Sequence, residues 1–357
     1  MLTIGLDVHQ RFFAVCILDV NGKRVKEFQV RGRWPKLIEQ LEQLAKPFAV
    51  CYEASCGYGH LYDQLKRIAR RVLVAHPGQL RLIFRSKKKN DRVDARKLAT
   101  LLYFDQVPTV HVPRVEVRSW RSFIEFRRRL VDKRTRVKNS LRALLRGHGI
   151  AAPNGQRLWT KKGRAWLAEV ELPTRQTVVQ RDLLLDELEH LSRQIGRVER
   201  ELNTRAASEP GVQLLRTIPG VGPRTAEAVM AYIDDATRFS RSKQVGSYFG
   251  LVPSQDQTFP NNRLGHITRE GPATVRKLLV EAAWQGIRRS ARIQARYAQV
   301  CGDDPQRKKI ALVATAHWLV RVMHTMLLSG ESWRPEPETP TCETEAERVA
   351  EGRREVA

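Results

Sequence analysis

The dipeptide Asn21-Gly22, set between the apolar stretches RFFAVCILDV (11–20) and KRVKEFQV (23–30), constrains the fold more than any other feature. Asn-Gly suits the positive-φ positions of a tight turn, so the two stretches are expected as antiparallel strands of one hairpin. TIGLDVH (3–9) reads as a strand before them and carries Asp7. A helical pattern follows over 34–45, then the apolar run FAVCYE (48–53) ending in Glu53, a helix over 58–70, and RRVLVAH (70–76). Three strands, then helices alternating with further strands, predict an α/β domain with a mixed sheet covered by helices. Open α/β sheets place their sites at the carboxyl ends of strands, which is where Glu53 stands.

Charge narrows the partner. The 357 residues hold 63 Lys+Arg against 38 Asp+Glu, a formal net charge of +25. Such an excess points to a polyphosphate partner, nucleic acid before membrane, with strongly salt-dependent binding. No run of eighteen apolar residues and no secretory leader pattern is seen, so no membrane association and a cytoplasmic location are expected. The five cysteines (16, 51, 56, 301 and 342) are scattered, which argues against a disulfide framework or a zinc site.

SKKKNDRVDARKLA (86–99) then sets Asp91 and Asp94 three apart among cations. By itself this is a solvated, salt-bridged helix face, just as Asp7 alone is a strand-end residue and Glu53 alone a helix-start carboxylate. The element order, however, resembles that of the ribonuclease H-like fold. That resemblance implies neighbouring first and fourth strands, so that Asp7 and Glu53 approach each other and a late helix brings Asp91 and Asp94 beneath them. Residues at i and i+3 of a helix share a face. Four carboxylates around one hollow call for hard cations, Mg²⁺ or Mn²⁺, and two such ions roughly 3.5–4 Å apart clamp both oxygens of a phosphodiester exchange. Lys87, Lys88, Lys89 and Arg92, with Arg81, Arg85, Arg96 and Lys97, are expected to hold the phosphate backbone.

The second half is organised differently. Residues 114–146 carry twelve Lys/Arg against three acids over an apolar stripe of Leu130, Val137, Leu141 and Leu144. This basic helix, with Arg127, Arg128, Arg129 and Arg134, is expected to cradle nucleic acid. From 177 to 204, Leu184, Leu188, Leu191, Ile195, Val198 and Leu202 recur at spacings of four and three, the a/d pattern of a coiled coil; oligomerisation is expected from it, with internal helix-helix packing as the alternative. LLRTIPGVGPRTAEAVMAYI (214–233) reads as a helix-hairpin-helix whose Gly220 and Gly222 present backbone N–H groups to phosphate. Arg263, His266 and Arg269 are candidate phosphate or RNA contacts.

GLDVH, YEASCGYG and NDRVDARKLA, followed by IPGVGPRTA, YFGLVPS and RLGHITREGPATVRKLLVEAAW, together resemble the DEDD-type transposases of bacterial insertion sequences, a group of bridge-RNA-guided recombinases. Most of residues 1–330 is covered. The resemblance implies that Asp7, Glu53, Asp91 and Asp94 are the metal-binding acids of a RuvC-like domain. It also implies a serine nucleophile shortly after GLVP that forms a covalent link to DNA. Here that position reads Thr258, in QDQTFPNN, so Thr258 is the matching nucleophile, with Ser254 as the alternative and an inactive copy as the third reading. Further implications are a homodimer or homotetramer, a composite site between protomers, and partners in DNA (element ends and target) and a noncoding guide RNA.

The expected organisation is a RuvC-like metal-binding domain over 1–112 and a basic helical segment over 113–150. A coiled coil over 175–207, a mostly helical transposase domain over 208–330 and a disordered acidic tail over 331–357 complete it. The expected function is cutting and rejoining DNA. The rivals are a RuvC-like nuclease using water and a non-catalytic nucleic-acid-binding protein.

Overall fold

A computed structural model describes residues 1–44, 46–55, 57–83, 90–153, 157–258, 261–302 and 304–334. Lys87, Lys88, Lys89, Arg85 and the tail from 335 lie outside them. The chain divides into two compact units, one over Met1–Arg118 and one from Ser119 onward. The division falls inside a helix rather than at 112/113. Arg118 ties the first turn of that helix to unit one through an ion pair with Asp63 and a 2.6 Å hydrogen bond to the Pro113 carbonyl.

Unit one begins with β1 (Leu2–Val8), β2 (Phe12–Leu18) and β3 (Arg24–Arg31), the last two joined through the expected Asn-Gly turn with Gly22 at φ 75°. Then come α1 (Trp34–Glu42), β4 (Phe48–Glu53), α2 (Tyr58–Leu65), β5 (Arg71–Ala75), α3 (Pro77–Ile83) and α4 (Asp91–Tyr103). The sheet order is β3-β2-β1-β4-β5, antiparallel from β3 to β1 and parallel from β1 to β5. This is the mixed, helix-covered sheet of a ribonuclease H-like domain.

Side chains alternate across the strands. Ile4, Leu6, Val15, Val50 and Tyr52 face a core that includes Leu37 and Leu41 of α1 and Leu61 and Leu65 of α2. The opposite positions are small: Gly5, Ala14, Cys16, Ala49, Cys51 and Ala75. This shallow face receives α4 through Ala95, Leu98, Ala99, Leu101 and Leu102.

Beyond it run α5 (Val115–Gly147), α6 (Lys161–Glu169), α7 (Arg175–Ala207), α8 (Pro210–Arg216), α9 (Pro223–Ile233) and α10 (Ser242–Tyr248). A two-stranded hairpin, β6 (Pro253–Thr258) and β7 (Asn261–Ile267), precedes α11 (Ala273–Ile287), α12 (Ala291–Cys301) and α13 (Lys308–Ser329). Unit two is thus mostly helical.

Two expectations change here. The leucine stripe of α7 is buried within the single chain. Leu188, Leu191, Ile195, Val198 and Leu202 share a core with Trp120, Ile124, Leu130, Val137 and Leu141 of α5. Arg127 donates to Glu199 at 2.9 Å, and Arg205 lies over the Trp120 ring at 5.2 Å. As α5 numbers rise α7 numbers fall, so the two form an antiparallel pair and the stripe is not an open oligomer seam. A heptad pattern specifies a partner helix and is silent on which chain supplies it.

The second change concerns Pro305–Ser329. It has a mean hydropathy of 1.4 over an eighteen-residue window, long and apolar enough on those counts to cross a bilayer. Scattered Arg and His hide this from a search for an unbroken apolar run. In the fold, Ala311, Ala316, Leu319, Val320 and Met323 are fully buried in unit two, as in the core helix of a globular unit.

Candidate metal centre and nucleophile hairpin

Asp7 is the penultimate residue of β1, and Glu53 closes β4. The parallel register pairs Gly5 with Cys51 and Leu6 with Tyr52, so Asp7 and Glu53 each stand one position further on, on the face that receives α4. Gly5 decides how near α4 comes. A β-carbon there would overlap the Ala95 carbonyl oxygen and the Ala99 nitrogen, so only glycine admits α4 at this distance. One turn before Ala95, the head of α4 then lies beside Asp7.

That head is well defined. Asn90 is the N-cap, its side chain accepting from the Arg92 N–H at 3.1 Å. Asp91 and Asp94 occupy the first turn, where the helix dipole favours negative charge.

His9 links the two elements. Its Nε2 lies 3.2 Å from Asp7 Oδ2 and 3.2 Å from Asp91 Oδ1, and its ring stacks on Phe12 at 4.4 Å. One ligand atom each from Asp7, His9 and Asp91 falls within a 4.8 Å span. Asp94 pairs with Lys97 at 3.2 Å and stands close enough to repel Asp7 electrostatically. Glu53 is half-buried at its strand end and stands outside the three-residue group. Burial raises the Asp7 pKa above its ordinary value, His9 pulls it back, and the Asp91 and Asp94 charges push it up further. An oxygen-rich set of crowded carboxylates fits a hard divalent cation, whose charge relieves that repulsion.

Reasoning from sequence missed His9. GLDVH held the signal, since a histidine two residues beyond an acidic strand end stays on the same face.

The proposed nucleophiles sit on the β6–β7 hairpin, where sequence reading expected only a loop. All six residues of β6 are exposed and polar beyond Pro253, so the hairpin lacks the apolar alternation that announces a strand. Thr258 is the last residue of β6, paired with Asn261 across the turn. Ser254 donates its hydroxyl to the His266 carbonyl at 3.1 Å, and Gly265 opposite leaves room for that hydroxyl. Arg263 and His266 are exposed on β7.

The candidate nucleic-acid residues separate by partner. Arg128 is exposed but bonded to Glu125 and Asp132, Arg127 is held by Glu199, and Arg129 is exposed. Arg134 joins Lys138, Arg142 and Arg164 in a cluster that, with desolvation, lowers the Lys138 pKa. Lys138 and Arg142 both lie over the Trp159 ring, at 5.0 and 5.2 Å, a cation–aromatic site not anticipated from sequence. Gly220 (φ 92°) sits against the α11 backbone at Ala282 and Gly286, so closeness accounts for it. Gly222, the N-cap of α9, is open. Arg92 is exposed on α4.

Comparison with known proteins agrees with these elements. Residues 4–150 match a transposase family of the DEDD, IS110 type, and residues 212–298 match the transposase IS116/IS110/IS902 family. A "Probable family 20 transposase" of Pseudomonas aeruginosa is 29% identical over 93% of this chain and 98% of its own length. The transposase for insertion sequence element IS1111A of Coxiella burnetii is 29% identical over 78% of this chain and 76% of its own. The transposase for insertion sequence element IS1328 of Yersinia enterocolitica is 26% identical over 92% and 97%.

Proposed function

Because the chain belongs to the DEDD transposases of insertion sequences, we propose that it cuts and rejoins DNA through a carboxylate-bound divalent metal and a hydroxyl nucleophile. The observation that carries this reading is the convergence of Asp7, His9 and Asp91 within 4.8 Å at the head of α4. Asp7, Glu53, Asp91 and Asp94 are the ligands in this reading, and His9 draws the Asp7 and Asp91 oxygens to one point. Mg²⁺ or Mn²⁺ bound there supplies Lewis acidity to phosphodiester oxygens.

The Thr258 hydroxyl attacks phosphorus. Its oxygen forms the new ester bond, and the departing strand oxygen takes the broken bond's electron pair together with the proton that the Thr258 hydroxyl gives up. The covalent ester conserves phosphodiester energy for resealing. Exposure of Thr258 at the end of β6 supports access to a duplex. The arginines of α5, Arg263 and the cations before α4 neutralise backbone phosphates. A noncoding RNA selects the DNA, a homodimer or homotetramer carries the reaction, and the work takes place in the cytoplasm.

A second reading rests on Thr258 itself. Its β-branched hydroxyl is more crowded than a serine hydroxyl and stiffer at χ1, which favours a nuclease that uses water at the same acids. Incubation of the protein with element-end DNA, flanking noncoding RNA and Mg²⁺, followed by digestion and mass spectrometry, separates the two. A nucleotide on Thr258 supports the covalent recombinase, and one on Ser254 moves the nucleophile. Cleavage without adduct selects the nuclease, and neither cleavage nor adduct leaves a nucleic-acid-binding protein.

A further inference from the structure

The imidazole of His9 meets two carboxylates at one atom. Its Nε2 is 3.2 Å from Asp7 Oδ2 on β1 and also 3.2 Å from Asp91 Oδ1 on α4. A ring nitrogen carries at most one hydrogen, so a hydrogen bond accounts for one of these approaches and not for the other. Bonds of about 2.0–2.2 Å from one octahedral cation, taken at right angles, set adjacent donors about 2.8–3.1 Å apart. Both separations at Nε2 lie close to that edge. The turn after β1 holds the ring in place: the His9 N–H donates to the Phe12 carbonyl at 3.1 Å, and the imidazole stacks on the Phe12 ring at 4.4 Å with 14° between the planes. The His9 side chain is 35% exposed, so an ion arriving from solvent can reach it. Among the described residues, the donors that converge here are two carboxylates and this one nitrogen, with Asp94 paired to Lys97 and Glu53 outside the group.

From this arrangement we propose that His9 is itself a ligand of the divalent cation and tilts the centre from Mg²⁺ toward a first-row transition ion such as Mn²⁺. Mg²⁺ keeps to oxygen donors and gives up its waters reluctantly, whereas transition ions accept imidazole nitrogen. One nitrogen among the oxygens therefore strengthens the hold on Mn²⁺ more than that on Mg²⁺. A histidine that only oriented the two acids would act on both ions alike. The inference rests on the metal-centre reading above and adds to it a nitrogen donor and a metal preference.

The test uses the full chain loaded with Mn²⁺ and electron spin-echo envelope modulation, which detects nitrogen bonded to the ion. A ¹⁴N coupling is expected, replaced by the ¹⁵N pattern in protein grown on ¹⁵N-histidine, a control that needs no substitution. His9→Gln, which keeps a polar side chain of similar reach, should abolish the coupling and lower Mn²⁺ affinity about tenfold. Mg²⁺ affinity, measured by competition against Mn²⁺, should change less than about twofold. A Mn²⁺ site that Asp91→Asn weakens but that shows no histidine coupling overturns His9 as a ligand and leaves the carboxylate centre intact. A coupling that survives His9→Gln, or an equal loss of both ions, does the same. Mn²⁺ bound no more tightly by the wild type than by Asp91→Asn overturns both.

Discussion

Gly5 of β1 lies against the backbone of Ala95 in α4 so closely that no β-carbon fits between them. The contact sets the height of α4 over the sheet, and with it the approach of Asp91 to Asp7. Gly5→Ala therefore has to push α4 away. Overpacking of this kind costs about 1–3 kcal/mol. The expected result is a lowered melting temperature together with weaker Mn²⁺ binding, read by calorimetry and by Mn²⁺ electron paramagnetic resonance. A variant that melts lower but binds Mn²⁺ as tightly as the wild type would separate packing from the site.

Asp91→Asn should separate them in the other direction. It exchanges an anionic ligand for a neutral amide and removes one like charge acting on Asp7, while weakening a part-exposed contact with His9. Exposed pairs contribute about 0–1 kcal/mol, so the fold should hold. Mn²⁺ affinity should fall roughly tenfold or more, as loss of a ligand normally exceeds the 10–100-fold effect of an outer partner. DNA cleavage should disappear while DNA binding persists in a gel-shift assay.

Glu227 on α9 makes stability depend on pH. It is 1% exposed, and its partner Arg224 lies 2.9 Å away. Burial dominates the attraction of Arg224 and raises its pKa from 4.5 to about 7. The folded state therefore keeps a proton that the unfolded chain releases. The resulting stability is full below pH 4.5 and is lost as pH rises to about 7, a change of up to about 3 kcal/mol at about 1.4 kcal/mol per unit. Glu227→Gln should flatten the melting temperature between pH 5 and 8. An unchanged slope would mean that the carboxylate is stabilised as an ion.

Leu191 tests the helix pair. It is 5% exposed in a core shared with α5. Leu191→Ala should cost about 2–5 kcal/mol of stability, seen in denaturant titrations. By light scattering, the mass at low denaturant should equal that of the unsubstituted protein. A clean drop to a smaller species with an unchanged melting temperature would restore the stripe to an interface between chains.

Local pattern was sufficient where one element's own residues carry the instruction. Asn21-Gly22 specified its hairpin because glycine accepts the positive φ that the turn requires at Gly22. The apolar run FAVCYE specified β4, and the order of strands and helices in the first hundred residues specified the mixed sheet. The charge excess specified the kind of partner. Asp7, Asp91 and Asp94 could be picked out because they recur on matching elements in order.

Tertiary structure decided what depends on distance. Only the meeting of Gly5 with Ala95 brings α4 down to Asp7, and only then does His9 come within 3.2 Å of both acids. The heptads of α7 encode an apolar face but not the chain that covers it, and here α5 covers it. The β6–β7 hairpin has no apolar face to reveal it, since both strands are held by backbone hydrogen bonds in solvent. Periodicity records which side of an element avoids water. Which residues meet across that boundary is settled by packing.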